Sequence, residues 1–430
     1  MLTIRGNKRL AGRAVAPPDK SIVHRALILA AMGRGESVIP CAALGADNRS
    51  TAHVLGQLGV DVKLEPDRVR IMGVEHPAQL KNPTGALDCG NSGTTMRLMA
   101  GVLSATRMEV TMIGDASLST RPMARLAPLA RMGAFVQGQG TKWQPPLWLK
   151  GNTLVGRKHE LATASAQVKS AILLAGLWAE GETIVIEPSA TRDHTERMLR
   201  ALGAAITFGD GPIRLSPLTT PWAGRRFDIA PDLSSAAFLL GAALLTGSPD
   251  VAVTTAVNPT RTGVLDVLRA FGAEVRIEPL DPVGEEPVAR VSVRAGEMHG
   301  ATIEGALTVR AIDELPLLAA IAAFIPGQTI IKDAAELRVK ECDRITETVK
   351  LIRAFGGVLE ETPDGFVIEG GAGQLRCARI EGGLDHRIAM TAAVLALAAP
   401  GESVIEGAEV ASVSFPRFAE TLAELGADIR

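Results

Sequence analysis

The stretch AFGGVLEETPDGFVIEG, residues 354–370, starts as the end of a helical pattern, passes through a glycine and continues as two short strands across a polar turn. A glycine at that place fits a helix C-cap, where positive φ carries no Cβ penalty. The same junction recurs in QLGVDVK (57–63), RMGAFVQ (131–137), ALGAAITF (201–208), AFGAEVRI (270–277) and ELGADIR (424–430). The glycines are Gly59, Gly133, Gly203, Gly272, Gly356 and Gly426. Six copies at a spacing of about 70 residues predict a chain built from six repeats.

A second element keeps step with the first. Six Ala- and Leu-rich stretches follow polar starts: DKSIVHRALILAAM, NSGTTMRLMAGVL, SAQVKSAILLAGLWA, DLSSAAFLLGAALL, DELPLLAAIAAF and DHRIAMTAAVLALAA. Helices apolar on nearly every side belong inside a domain. The predicted unit is an inner helix, a strand, an amphipathic outer helix and two strands joined by a turn, an alternating α/β unit. The sixth unit ends at GADIR, one strand short, and LTIRG at the N-terminus supplies the missing strand, because an unpaired sheet edge invites association. Three units per domain give one continuous domain over 20–225 and one discontinuous domain of 1–19 plus 226–430. The crossings near 15–20 and 222–230 are the expected hinge.

Composition narrows the function. The 430 residues carry 45 basic against 47 acidic side chains, a net charge of -2, which argues against a general nucleic-acid or membrane-surface binder but allows a locally basic pocket. Cys41, Cys89, Cys342 and Cys377 form no CxxC pair, the N-terminus lacks the apolar core of a signal peptide, and no apolar run reaches membrane-spanning length. A cytoplasmic protein with unpaired thiols is expected. The seven histidines form no HExxH, so no metal is expected, and there is no GxSxG elbow.

Chemistry is expected where the inner helices begin, since helix N-termini present unpaired N–H groups and a positive dipole end. Lys20, Ser21, His24 and Arg25 stand at the first start, Asn91, Gly93 and Arg97 at the second, and Ser165, Gln167 and Lys169 at the third. Asp232, Asp313 with Glu314, and Asp385 with His386 and Arg387 stand at starts in the other domain. Capping explains the serines, asparagine and aspartates. It does not explain cations inside apolar helices, each of which needs a partner. GNSGTTMR (90–97) is glycine-containing yet is neither a Walker A motif nor a dinucleotide fingerprint. ELRVKECDRI (336–345) crowds Arg338, Lys340, Glu341, Asp343 and Arg344 into one junction. Together these residues suit a doubly anionic ligand, with Asp313, Glu341 and His386 available for proton transfer.

DKSIVHRAL, GNSGTTMRL, STRPM, SAQVKSAILLAG, RDHTERML, VKECDRI and DHRIAMT, in this order along the whole chain, resemble the signatures of the 5-enolpyruvylshikimate-3-phosphate synthase family. The resemblance implies a two-domain inverse α/β barrel of six βαβαββ repeats. It also implies transfer of the carboxyvinyl group of phosphoenolpyruvate to the 5-hydroxyl of shikimate 3-phosphate, in the pathway to chorismate and the aromatic amino acids, by a monomer without an organic cofactor. It puts Lys20, Asn91, Gly93, Arg121, Gln167, Arg344 and Arg387 on phosphoenolpyruvate. Lys20, Ser21, Arg25, Ser165, Ala166, Gln167, Arg192, Asp313 and Lys340 fall to shikimate 3-phosphate. Asp313 is to take the hydroxyl proton, and Glu341, with Lys20 or His386, to manage the proton at the methylene carbon.

The sequence also departs from the family pattern. APPDKS has an aspartate, Asp19, ahead of the lysine where many relatives have Pro-Gly-Ser; Glu336 stands where some have asparagine, and Val413 where one branch has a lysine. Gly93 is the small residue that goes with glyphosate sensitivity, although SAQVK and RDHTERM look like the branch that includes tolerant enzymes; inhibition by glyphosate is the expectation. The sister family that uses UDP-N-acetylglucosamine typically carries a cysteine where Ala116 precedes Arg121 and Pro122. The departures at Glu336 and Val413 would also suit a transferase for another cyclohexene acid, and a non-catalytic binding protein would bind the same ligands without turning them over.

Overall fold

The structure, a computed structural model, describes residues 1–41, 44–381 and 385–430. The chain falls into two compact units, residues 18–229 and residues 1–17 with 230–430. The described residues form six small sheets, three in each unit. The sheet around the opening stretch shows the pattern. Thr302–Ile303 runs parallel to Gly327–Ile331, which pairs antiparallel with Gly365–Gly370, which pairs antiparallel with Leu359–Thr362. The repeat thus begins with an edge strand ahead of its inner helix, a strand the periodicity did not reveal.

All six repeat glycines have positive φ, from +83° at Gly59 to +122° at Gly133. Each ends an outer helix and turns the chain into the next strand, a conformation that costs other residues about 1–2 kcal/mol. Two of them separate strain from crowding. A Cβ at Gly203 would meet nothing within 4 Å, whereas one at Gly272 would lie 2.0 Å from the Glu297 carbonyl oxygen. Gly203→Ala is therefore expected to lose about 1–2 kcal/mol in urea unfolding and Gly272→Ala clearly more. Equal losses would contradict this assignment.

Two edge strands are exchanged between repeats. Gly12–Val15 precedes the first inner helix, Lys20–Ala31, yet pairs in parallel with Val251–Ala256, which follows the fourth inner helix, Leu233–Leu245. The segment ahead of that fourth helix returns the exchange, bridging Ala223 to Arg34 and Arg226 to Val38 beside the strand Arg34–Pro40. Both of these edges are thereby covered. At the end of the chain, Leu2–Arg5 lies between Glu402–Ile405 and Asp428–Ile429. Thr3 and Arg430 exchange N–H···O bonds of 2.8 and 2.9 Å. The N-terminal strand supplies the strand that the sixth repeat lacks.

The inner helices are buried almost throughout; Leu233–Leu245 is buried from Leu233 to Leu244. Each fully buried Leu, Ile or Val side chain contributes about 1.5–3 kcal/mol relative to exposure. Helices Gly93–Ser104 and Ala166–Gly176 approach so closely that a Cβ at Gly101 would lie 2.3 Å from the Ala171 carbonyl oxygen. The fifth inner helix, expected at 313–324, is Leu315–Ala322; a further short helix, Gly305–Ala311, precedes it, and Asp313 occupies the turn between the two. No disulfide forms among the described residues. No helix of the described residues is long and apolar enough to cross a membrane.

Candidate active site

In the 18–229 unit the polar starts are capped as their residue types predict. Asp19 accepts the N–H groups of Ser21 and Ile22 at 2.8 and 3.0 Å, Ser92 that of Thr95 at 3.1 Å, and Ser165 that of Val168 at 3.4 Å. Asp19 sits at φ -60°, so the departure in APPDKS gives a capping aspartate in place of a glycine-dependent turn. Lys20 Nζ lies 2.9 Å from Asp47 Oδ2, and Asn48 donates to the Lys20 carbonyl at 3.0 Å, which orients the lysine from the outer helix Ala46–Gln57.

The second and third starts are tied together. Arg97 donates to Gln167 Oε1 at 2.5 Å, and Gln167 Nε2 donates to Thr94 at 2.8 Å. Arg121 donates to Asn91 Oδ1 at 2.5 Å and to Ser117 at 3.0 Å, while Asn91 Nδ2 donates to Asp115 at 2.6 Å. A Cβ at Gly93 would lie 2.9 Å from one Arg97 nitrogen and 3.5 Å from one of Arg121. Asn91, Gly93, Arg121 and Gln167 thus share one neighbourhood, with Ser165 and Ala166 beside Gln167 on the chain. Arg25 is buried and donates to Thr195, Ser170 and the Ser21 carbonyl at 2.7 to 2.8 Å, binding the first helix to the third. Ser21 and Arg192 are half-buried, Arg192 between the strand Thr183–Ile186 and the helix His194–Ala201.

A hydroxyl chain underlies these starts. His24 Nδ1 is 2.7 Å from Thr51 Oγ1, Thr51 is 2.7 Å from Thr95, and Thr95 is 2.8 Å from Ser92. Burial, aided by Lys20 and Arg25 against the pull of Asp47 and Asp19, lowers the His24 pKa from 6.5 to about 3. Below 6.5 the unfolded chain therefore takes up a proton here that the folded chain refuses until about 3. Stability falls through that window as pH drops, by up to about 1.4 kcal/mol per pH unit from this group. His24→Gln is expected to keep about 2 kcal/mol more of its neutral-pH stability at about pH 5 in urea unfolding. Identical acid losses in both proteins would refute the assignment.

The other unit gathers its charges around one arginine. Arg344, fully buried, donates to Asp385 Oδ2 through Nε at 3.1 Å and through one NH2 group at 2.9 Å, to Glu341 at 2.6 Å and to Asp313 at 3.3 Å. Burial opposes its charge, but Asp385, Glu341 and Asp313 outweigh that and raise its pKa above the ordinary arginine value. Arg387 donates to the Asp313 carbonyl at 3.0 Å and lies 3.7 Å from the Asp313 carboxylate and 3.6 Å from Glu314. His386 Nδ1 is 3.7 Å from Asp385. Asp313, Glu341, His386, Arg344 and Arg387 are brought together; Lys340 instead lies 3.8 Å from Glu336.

ELRVKECDRI can now be divided. Arg338 is spent on the fold, pairing with Asp343 at 2.8 Å and Glu361 at 3.1 Å, and Asp343 caps the helix Arg344–Ala354. Glu341 and Arg344 join the charged cluster. Burial, with Asp385, pushes the Cys342 thiol up to about 12, so it is not a nucleophile at neutral pH. Glu336 occupies Lys340, and Val413 is half-buried at the end of the helical turn Ala408–Val413. Sequence reasoning missed Asp47 and Asp115, the partners of Lys20 and Asn91. It noted Asp385 only as an acid at a helix start. Asp47 reads as an ordinary first-turn acid of an outer helix, and nothing local signals a partner 27 residues away.

The fold recurs in solved structures. The enolpyruvyl transferase NikO of Streptomyces tendae, 18% identical, superposes with a TM-score of 0.76 over 100% of this chain and 98% of that one. The EPSP synthase of Acinetobacter baumannii, 40% identical, reaches 0.84 over 100% of this chain and 99% of its own. The architecture is that of the enolpyruvyl transferases. Within it the relatives are specific. The model of EPSP synthase (3-phosphoshikimate 1-carboxyvinyltransferase) matches residues 4–422. The 3-phosphoshikimate 1-carboxyvinyltransferases of Roseiflexus castenholzii and Desulforudis audaxviator are 46% identical over 96% of both chains and 44% identical over 99% of both. The chain belongs to the EPSP synthase family.

Proposed function

We infer that this chain transfers the carboxyvinyl group of phosphoenolpyruvate to the 5-hydroxyl of shikimate 3-phosphate and releases phosphate. The observation that carries the reading is the cluster of Arg344 and Arg387 around Asp313 and Glu341: two cations for an anionic substrate beside two carboxylates that can exchange protons. Asp313 removes the proton of the attacking hydroxyl as its oxygen bonds to the enol carbon, while Glu341, with Lys20 or His386, delivers a proton to the methylene. The resulting ketal phosphate loses phosphate as the new methyl gives its proton back. Arg344 and Arg387 hold the substrate carboxylate, and Lys20, Asn91, Gly93, Arg121 and Gln167 serve the phosphoenolpyruvate side. Ser21, Arg25, Ser165, Ala166, Gln167, Arg192 and Lys340 serve the phosphorylated acceptor. The chain is taken to act as a cytoplasmic monomer.

The experiment is phosphate release on mixing the protein with phosphoenolpyruvate and shikimate 3-phosphate in the presence of a chelator, with UDP-N-acetylglucosamine as the alternative acceptor. Release that requires shikimate 3-phosphate is expected. Release with the nucleotide sugar, or with neither acceptor, overturns the reading.

A further inference from the structure

Lys169 lies one turn inside the apolar helix Ala166–Gly176 and is only 1% exposed. Its ammonium has three partners, 2.8 Å to Glu187, 2.7 Å to Glu196 and 3.3 Å to the Thr191 carbonyl. Those partners use all three ammonium donors. They also span one segment. Glu187 follows the strand Thr183–Ile186, Thr191 immediately precedes Arg192, and Glu196 lies in the first turn of the helix His194–Ala201. Thr191 adds a side-chain hydrogen bond to Glu187, and Thr195 is held by Arg25 and Ser170 at 2.7 Å. The loop that presents Arg192 is thus stapled from beneath, at both ends and beside the arginine itself, to the helix whose start carries Ser165 and Gln167.

A charge needed only for stability would be poorly placed here. Burying three ionised groups is expensive, and an apolar trio of similar size commonly serves stability as well. Glu196 shows the cost: burial raises its pKa against the pull of Lys169, and its Oε2 has no hydrogen-bond partner. What an apolar trio cannot supply is direction, because only a three-donor ammonium fixes the Thr191 carbonyl and both carboxylates in one geometry.

We propose that Lys169 is a positioning residue that holds the 187–196 segment so that Arg192 meets the phosphorylated acceptor, thereby setting the affinity for that substrate and not the chemical step. This rests on the function inferred above. Lys169→Met alone leaves two buried carboxylates uncompensated and is apt to unfold, so the test is the triple variant Lys169→Met, Glu187→Gln, Glu196→Leu. It is expected to fold and to exchange the amide hydrogens of residues 189–193 at least about tenfold faster without any substrate. Its KM for shikimate 3-phosphate should rise about tenfold, with kcat and the KM for phosphoenolpyruvate within about twofold. Arg192→Ala should raise the same KM in the unaltered chain but add little in the triple variant.

Unchanged exchange across 189–193 overturns the staple. An equal Arg192→Ala effect in both backgrounds, or no effect in the unaltered chain, overturns its role in acceptor binding. Absence of turnover in the unaltered chain is a different result: it fails the inferred function, while exchange still decides whether Lys169 orders the segment.

Discussion

Arg344→Ala is expected to unfold at distinctly lower urea concentration than the unaltered chain, with a loss of about 3–5 kcal/mol, and to lose about 10²–10³-fold or more in kcat/KM for phosphoenolpyruvate. Both effects have one source. Asp313, Glu341 and Asp385 converge on this guanidinium, and Asp385 is also the cap of the helix His386–Ala398, accepting the Arg387 N–H at 2.8 Å. Without the arginine three carboxylates face one another, with Arg387 left to serve Asp313. Arg344→Lys is expected to restore little of either quantity, since an ammonium cannot reproduce the planar fork that meets three acids at once. A wild-type urea midpoint for Arg344→Ala would show that the cluster adds nothing to the fold. A kcat/KM within about tenfold of the unaltered chain would remove Arg344 from the substrate.

Asp313→Asn is expected to lower kcat by about 10²–10⁴-fold while leaving the KM values and the urea midpoint comparatively unmoved. The amide keeps the shape of the side chain and one oxygen for Arg344 or Arg387, and the Asp313 carbonyl still accepts from Arg387. What it loses is the ability to take a proton from the hydroxyl. Position argues for this residue over its neighbour. Asp313 is 9% exposed in the turn between two helices, whereas Glu314 is 1% exposed and hydrogen-bonded to Ser234. A kcat within about tenfold of the unaltered chain would pass the base role to another group.

Much of the architecture can be read from the chain because its signals are local. The glycine that ends each outer helix must have positive φ whatever surrounds it, and a helix apolar on every side must be buried. These constraints act within a few residues, so they appear as a period. The short helix Gly305–Ala311 ahead of the fifth inner helix and the exchanged edge strands do not appear, for a physical reason as well. Gly12–Val15 carries no mark of whether it pairs with the strand that follows its own helix or with Val251–Ala256.

The candidate site divides in the same way. Residue types at Lys20, Asn91, Ser165, Asp313 and Asp385 were legible, and so were the caps made by Ser165 and Asp385, whereas the cap beside Asn91 is Ser92 and Asp313 lies one residue ahead of the cap position held by Glu314. The partners of the charged residues were not legible. Lys20 meets Asp47 across 27 residues, Arg344 meets Asp313 across 31 and Asp385 across 41, and Arg387 reaches the Asp313 carbonyl across 74. Lys169, counted by its sequence among the cations at a helix start, proves to be enclosed by two glutamates. The sequence by itself determined the repeat, the buried helices and the kinds of charge at their starts, since backbone geometry and burial act locally. Only the tertiary structure decided which charges neutralise one another, because ion pairing depends on where distant segments return.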